Sequence, residues 1–282
     1  MRLGIDLGGT KTELAALDES GAVCLRRRVP TPAHDYAEIL ATIATLVRDA
    51  EHALGEIGTV GVATPGSISS HTGRLRNSNT ACLNGMPLAE DLGAALGREV
   101  RIANDANCFA LSEATDGAAA DAELVFGVIA GTGCGGGIVF GRRVLNGSHG
   151  IAGEWGHNPL PWPQPDELPG PPCYCGKHGC IETFLSGPAI ARDHAAHGGS
   201  ERDAPAIVVA AAAGDALALA TIIDVLDPEV VVIGGGVGKI TSLYTELPRR
   251  LPTWVFSDHV RTRIVPPVHG DSSGVRGAAW LW

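Results

Sequence analysis

Two stretches of the chain repeat one pattern. Residues 2–7, RLGIDL, read as a strand, Gly8-Gly9-Thr10-Lys11 turns, and Thr12–Leu17 returns as a second strand. Leu124–Ala130 again reads as a strand, Gly131–Gly137 turns through GTGCGGG, and Ile138–Phe140 returns. A repeated supersecondary unit implies an internal duplication, and so an α/β protein of two related halves. A glycine turn exposes backbone N–H groups without Cβ obstruction, which suits phosphate oxygens. One such turn is equally an ordinary tight turn. Two of them facing a shared cleft would grip a polyphosphate from both sides. Thr10 and Lys11 add a hydroxyl and a cation, and Asp6 at the end of the first strand can hold Mg2+ through water.

Between the repeats, Tyr36–Glu51 has Ile39, Ile43, Leu46 and Val47 at helical spacing. Thr59–Ala63 reads as a buried strand ending in Thr64-Pro65-Gly66-Ser67, and Asn77-Ser78-Asn79 forms a polar loop. Pro87–Leu96 reads as a helix. Val100–Ala103 is a strand that ends at Asn104-Asp105-Ala106-Asn107, with a helix over Cys108–Thr115. A carboxylate at a strand's carboxyl end, just before a helix, sits where open α/β sheets place ligands. Asp105 is therefore a catalytic candidate, although an Asp there can also simply cap the helix.

The second half carries a proline-rich stretch from Gly153 to Glu182 that contains His157, Cys173, Cys175 and Cys180. It has no apolar periodicity, and it needs a clip to hold a shape. Three cysteines and a histidine are the ligand set of a closed structural zinc site. Buried thiols or a disulfide are the alternatives, but Cys173 and Cys175 are too close in sequence to pair easily with each other. Glu154 and Glu182 at the ends of the stretch would be carboxylates fixed beside a rigid loop, as recognition of a polyhydroxylated ligand needs. Beyond it, Phe184–His197, Ala206–Ala213, Ala216–Leu226 and Leu243–Leu251 read as helices. Pro228–Ile233 and Arg263–Val265 read as strands, and Gly270–Gly274 opens a last helix through Trp280. Gly234-Gly235-Gly236 is another loop of close approach.

The net charge of −10 and the lack of a basic tract argue against nucleic acid or an anionic membrane as partner. The opening MRLGID reads as a strand and shows no secretory signal, so a cytoplasmic protein is expected. Ala204–Leu226 is apolar, but Asp215 and Asp224 interrupt it, and a buried helix pair is expected there in place of a membrane span.

The motifs IDLGGTKTELAAL, NDANCFALSEA, GTGCGGGIV, GEWGHNPL, CYCGKHGCIE and DPEVVVIGGG together resemble the ROK family of sugar kinases. The likeness covers almost the whole chain. NGSHGIAGEWGHNPLPW, CYCGKHGCIETFLSG and HGDSSGVRGAAWLW look most like its bacterial fructokinase (manno-fructokinase) branch. The resemblance implies the two-domain, ribonuclease-H-like duplicated fold of the actin/hexokinase/Hsp70 superfamily. One domain would span Met1 to about Thr115, with the final helix over 275–282 returning to it, and the other 116–274. It also implies ATP-dependent phosphorylation of a hexose, D-fructose at its 6-hydroxyl first, with glucose, mannose or an N-acetylhexosamine as alternatives.

Carried over residue by residue, the resemblance makes Asp105 the base that takes the sugar hydroxyl's proton. Asn104, Glu154, His157 and Glu182 would hydrogen-bond the sugar, and Gly66 and Asn79 would line the same pocket. Gly8, Gly9, Thr10, Lys11, Thr132 and Gly133 would hold the ATP phosphates, with Asp6 near Mg2+ and Gly234, Gly235 and Gly236 beside the adenosine. His157, Cys173, Cys175 and Cys180 would bind structural zinc, with the second ring nitrogen of His157 facing the sugar. A homodimer is expected from the same likeness. The chain departs from the family pattern between Glu182 and Val230, where a short Ala-rich run, AIVVAAAAGDALALATIID, replaces a longer polar helix. Two further readings differ in class: a sugar-binding protein without turnover, and a sugar-responsive repressor. The repressors carry a helix-turn-helix ahead of the first strand, which here starts at Arg2.

Overall fold

The computed structural model describes residues 1–196 and 216–282. It contains two five-stranded sheets of identical topology. In the first, β1 (Arg2–Leu7), β2 (Lys11–Leu17) and β3 (Val23–Pro30) form an antiparallel meander, and β4 (Thr59–Thr64) and β7 (Val100–Asn104) extend it parallel to β1. In the second, β8 (Leu124–Ala130), β9 (Cys134–Phe140) and β10 (Arg143–Val144) repeat the meander, and β11 (Val230–Gly234) and β12 (Arg263–Val265) extend it parallel to β8. The strand orders are β3-β2-β1-β4-β7 and β10-β9-β8-β11-β12. This is the duplicated ribonuclease-H-like α/β fold expected from the repeat. A small hairpin, β5 (Ser67–Ile68) with β6 (Leu75–Arg76), stands outside both sheets.

The helices follow from local chemistry. In α1 (Tyr36–Leu54), Asp35 caps the start by accepting the Glu38 N–H at 3.1 Å, and Gly55 ends the helix in the left-handed region. Its buried stripe of Ile39, Ile43, Leu46, Val47 and Ala50 joins Leu3, Ile5, Leu7 and Leu14 on one face of the first sheet, with Leu88 and Leu92 of α2 (Leu88–Leu96). The second sheet packs Phe126, Val128, Val231 and Ile233 against Leu219 and Ile223 of α6, described over residues 216–226, and against Leu243 and Leu247 of α7 (Leu243–Arg250).

The other faces are covered crosswise. The helix α3 (Asp105–Thr115) follows the first sheet but packs on β8 and β9 of the second. The helix α8 (Ser273–Ala279) follows the second sheet but packs on β1 and β4 of the first. The two helices also meet each other: a Cβ at Gly277 would collide with the Cys108 carbonyl.

One strand was not expected, and two expectations are corrected. Residues 23–30 form an edge strand that no periodicity announces, because VCLRRRVP is solvated along most of its length and is held by backbone pairing to β2. The helix expected from Cys108 starts three residues earlier, at Asp105. The expected Phe184–His197 helix is two helices, α4 (Glu182–Leu185) and α5 (Gly187–Ala196), broken at Ser186, whose backbone is extended. The helix expected over Ala206–Ala213 lies outside the described residues. Among the described residues, no helix is long and apolar enough to cross a membrane.

Candidate active site

In each sheet the parallel strands end at one edge, and the loops leaving those ends carry the glycine turns, the Gly66–Asn79 loop and Asp105, while Glu154, His157, Glu182 and the three cysteines lie in the segment after β10. Such carboxyl-end crevices are where open α/β sheets hold ligands. In the first sheet β1, β4 and β7 lead into the turn at residues 8–11, the loop at 65–80 and Asp105. In the second, β8 and β11 lead into Gly131–Gly133 and Gly235–Gly236.

Asp105 is the first residue of α3, and the cap is its neighbour. Asn104 Oδ1 accepts the Asn107 N–H at 2.7 Å, while Asp105 Oδ1 accepts the Ala106 N–H at 2.8 Å. The capping task falls to Asn104, which leaves Asp105 Oδ2 uncommitted. The Asp105 carboxyl is open to solvent at the crevice but walled by protein elsewhere. Loss of solvation pushes its pKa up, against the Ala106 N–H and its own N–H, which favour the carboxylate. Asp6 is raised to about 6, first by burial, then by the charges of Asp105 and Glu13, with Arg28 opposing. Glu13, across the strand from Asp6, is buried and paired with both Arg26 and Arg28, the latter through Nε at 2.6 Å.

The first glycine turn is braced from outside by Thr31, whose hydroxyl donates to the Gly8 carbonyl at 2.8 Å and whose N–H donates to the Thr10 carbonyl at 3.0 Å. Gly9, Thr10 and Lys11 remain exposed. In the second turn, the Gly131 N–H donates to the Gly133 carbonyl at 2.9 Å. Gly235, with φ at +79°, closes against the Ala130 carbonyl so tightly that any Cβ would collide with it. That contact sets Gly235 against the end of β8, from which the second turn leaves, and Gly236 borders open space.

Glu182 meets this second turn, accepting the Cys134 N–H at 3.0 Å. Glu154 has its pKa raised by burial, with His157 opposing, Asp105 and Glu182 raising it further and Arg76 opposing. Gly66 has φ at +86°, and the Arg76 carbonyl and Ser78 N–H occupy the space a Cβ would need. It thereby lets the loop that presents Asn79, which is exposed, fold back on the end of β4.

The ligand atoms of His157, Cys173, Cys175 and Cys180 lie within 4.8 Å of one another. The Cys173 Sγ to His157 Nδ1 distance is 3.5 Å and the Cys175 to Cys180 Sγ distance is 3.6 Å. A tetrahedron with Zn–S bonds of about 2.3 Å has edges near 3.8 Å, so the donor set fits zinc. A disulfide needs sulfurs about 2.05 Å apart, and Cys173, Cys175 and Cys180 form none. The second ring nitrogen of His157 meets the Tyr174 hydroxyl at 2.9 Å, a partner the sequence reading did not name. Arg76 was likewise unread, since nothing in a lone arginine before a polar loop marks it as part of a site.

The duplicated fold, with two glycine turns and a free carboxylate at one crevice, defines a phosphotransferase-like class of α/β protein. The family model described as "ROK family" matches residues 2–282, and the chain belongs to that family. It is 40% identical over 299 residues to the N-acetyl-D-glucosamine kinase of Aliivibrio salmonicida (strain LFI1238), covering 100% of this chain and 99% of the relative. The N-acetyl-D-glucosamine kinase of Vibrio cholerae serotype O1 is 39% identical with the same coverage. Those alignments are longer than the chain itself, so the relatives carry residues that this chain lacks. Among solved structures, the ROK hexokinase from Thermus thermophilus superposes with a TM-score of 0.86 at 31% identity, over 99% of this chain and 97% of that one. A ROK family glucokinase from Streptomyces griseus, in complex with glucose and AMPPNP, superposes with a TM-score of 0.76 at 26% identity, over 99% and 98%.

Proposed function

We propose that this protein is an ATP-dependent hexose kinase. The observation that carries the proposal is the convergence of Asp105, Glu154, His157 and Glu182 with two phosphate-type glycine turns at one crevice. Asn104, Glu154, Glu182 and the Gly66–Asn79 loop hold the sugar, and His157 joins them when its Nε2 exchanges the Tyr174 hydroxyl for a sugar hydroxyl. Gly8–Lys11 and Thr132–Gly133 hold the phosphates, and Gly234–Gly236 border the adenosine. Asp105 accepts the proton of the attacking hydroxyl through its uncommitted Oδ2. A sugar hydroxyl has a very high pKa, so a positioned base contributes about 10²–10⁴ in rate. The remaining acceleration comes from alignment and from charge stabilisation by oriented N–H donors. Asp6 is the carboxylate placed to hold Mg2+, which when bound neutralises charge on the transferred phosphoryl group. The Cys3His set holds zinc as a clip, because four protein ligands leave no open position for catalysis.

The first-choice acceptor is N-acetyl-D-glucosamine, the sugar for which the relatives about 40% identical over nearly their full length are named. D-fructose at its 6-hydroxyl, expected first from the motifs around Glu154, Cys173 and His269, has no support among these relatives and is kept as the second reading. We further propose that residues 1–115 with 275–282, and residues 116–274, act as two lobes closing on the substrates, and that the protein works as a homodimer.

The test is ADP release with Mg-ATP against N-acetylglucosamine, fructose, mannose and glucose, with Asp105→Asn alongside. Turnover with one sugar, abolished in the mutant, supports the reading and selects the acceptor. Sugar binding with no turnover would point to a binding protein and sink the kinase proposal.

A further inference from the structure

Arg76 ends β6, paired with Ser67 across the small hairpin. Its guanidinium does not stay within that hairpin. It donates to the His149 carbonyl at 2.7 Å, while Nε donates to Ser67 Oγ at 3.4 Å. Two further contacts join the same surfaces. Ser70 Oγ donates to the Ser148 carbonyl at 3.2 Å, and a Cβ at Gly150 would sit 3.3 Å from the Ile68 carbonyl. The hairpin at 67–76 leaves the first sheet, and the loop at 146–150 follows β10 of the second. A seam therefore joins a loop of one half to a loop of the other, and Arg76 is its cation.

The location gives the seam a consequence. Asn77 follows Arg76 directly and holds a left-handed φ of +58°, so the chain turns sharply there toward Asn79. His149 lies five residues before Glu154, and the positive charge of Arg76 is felt at the Glu154 carboxyl. The partners of Arg76 are a carbonyl and a hydroxyl, both neutral, so the guanidinium keeps its charge uncancelled by direct pairing. A planar guanidinium offers several donors in fixed directions, which an ammonium cannot reproduce.

We infer that Arg76 is a positioning residue for the acceptor: it ties the Asn77–Asn79 loop to the loop carrying Glu154 and so sets the width of the sugar pocket. It touches no reacting atom. The inference rests on the hexose-kinase reading above. The ligand it serves is a neutral ring whose hydroxyls bridge Glu154 on one wall and the asparagine loop on the other. The seam's own contacts, to Ser67, Ser148 and His149, include no residue of the nucleotide turns, and the first turn nears this loop only at its far end, where a Cβ at Gly9 would sit 3.6 Å from Thr80 Oγ1, so loss of Arg76 acts mainly on the acceptor.

The experiment compares wild type, Arg76→Met and Arg76→Lys, with Mg-ATP and the acceptor selected by the sugar panel, and records thermal unfolding of each. Arg76→Met is expected to raise the acceptor KM about tenfold or more, with the ATP KM within about twofold and kcat changed less than the acceptor KM. Arg76→Lys, which can reach the His149 carbonyl but not fork, is expected to recover part of that loss and remain about threefold weaker. A purely structural role would lower the melting temperature and move both KM values together, and that result overturns the inference. If Arg76→Met does not fold, Arg76→Lys decides by the same split. Wild-type turnover with an unchanged acceptor KM in the folded variants overturns the inference alone. Wild-type protein that phosphorylates no hexose overturns the kinase reading and this inference with it.

Discussion

Asp6 and Asp105 stand close enough, at the ends of β1 and β7, for the charge of Asp105 to help push the Asp6 carboxyl up to about 6. Two carboxylates at the mouth of one crevice are costly for the apo fold. They make sense where one must hold a cation and the other a proton.

Asp105→Asn keeps the shape of the site and, because Asn104 is the cap, keeps the start of α3. The expected outcome is a fall in kcat of about 10²–10⁴ with sugar affinity within a few-fold. Single-turnover kinetics beside calorimetric sugar binding measures both. A loss of less than tenfold in kcat removes Asp105 as the base.

The Asp6 shift makes a stability prediction. Its folded pKa, about 6, lies above the ordinary carboxyl value of 3.8, so the folded state holds the proton more tightly than the unfolded chain. Stability from this group is greatest below pH 4, falls as pH rises from 4 to 6, and stays lower above. Asp6→Asn escapes that loss. It is expected to be more stable than wild type at pH 7–8, by about 1–3 kcal/mol after allowing for partial exposure, and equal to it near pH 3. Chemical denaturation across pH checks the sign. The same variant is expected to lose the stabilisation that Mg-ATP confers on wild type.

Gly66→Ala places a side chain at φ +86°, where the Arg76 carbonyl and Ser78 N–H already sit. Backbone strain of this kind costs about 1–3 kcal/mol before the collision is counted. The melting temperature is expected to fall and the acceptor KM to rise, because the asparagine loop must move. An unchanged acceptor KM would mean that this loop does not line the sugar pocket.

Elemental analysis is expected to find one zinc per chain, and Cys180→Ser or chelation to remove it. The core of the second sheet is built mainly from β8, β11, α6 and α7, with Trp155 and Ile181 the residues it takes from beside the ligands, so local loosening is expected, with no global unfolding. Hydrogen exchange should accelerate over residues 157–182 and stay slow in β1 and β8. Chelated, zinc-free protein with full activity in Mg2+ would show that the clip is dispensable.

Much of this architecture was legible because it is local. Both glycine hairpins, the helical stripe of α1 and the strand ends before Asn104 and Gly234 follow from periodicity and turn chemistry within a dozen residues. The Cys3His set was legible for the same reason, since three of its members lie within eight residues. The edge strand β3 was not, because an edge solvated on most sides leaves no alternation to read.

The sequence by itself determined that there are two related halves, that Asp105 follows a strand, and which thiols can share a metal. Only the tertiary structure decided that Asn104, and not Asp105, caps α3; that Glu182 binds the Cys134 N–H; that Tyr174 meets His157; and that Arg76 reaches His149. The physical reason is distance along the chain. Turns and helical faces are set by neighbours a few residues away. The partners of Glu182 and Arg76 lie 48 and 73 residues off, and only the paired sheets and the crossed helices α3 and α8 bring them within hydrogen-bond reach.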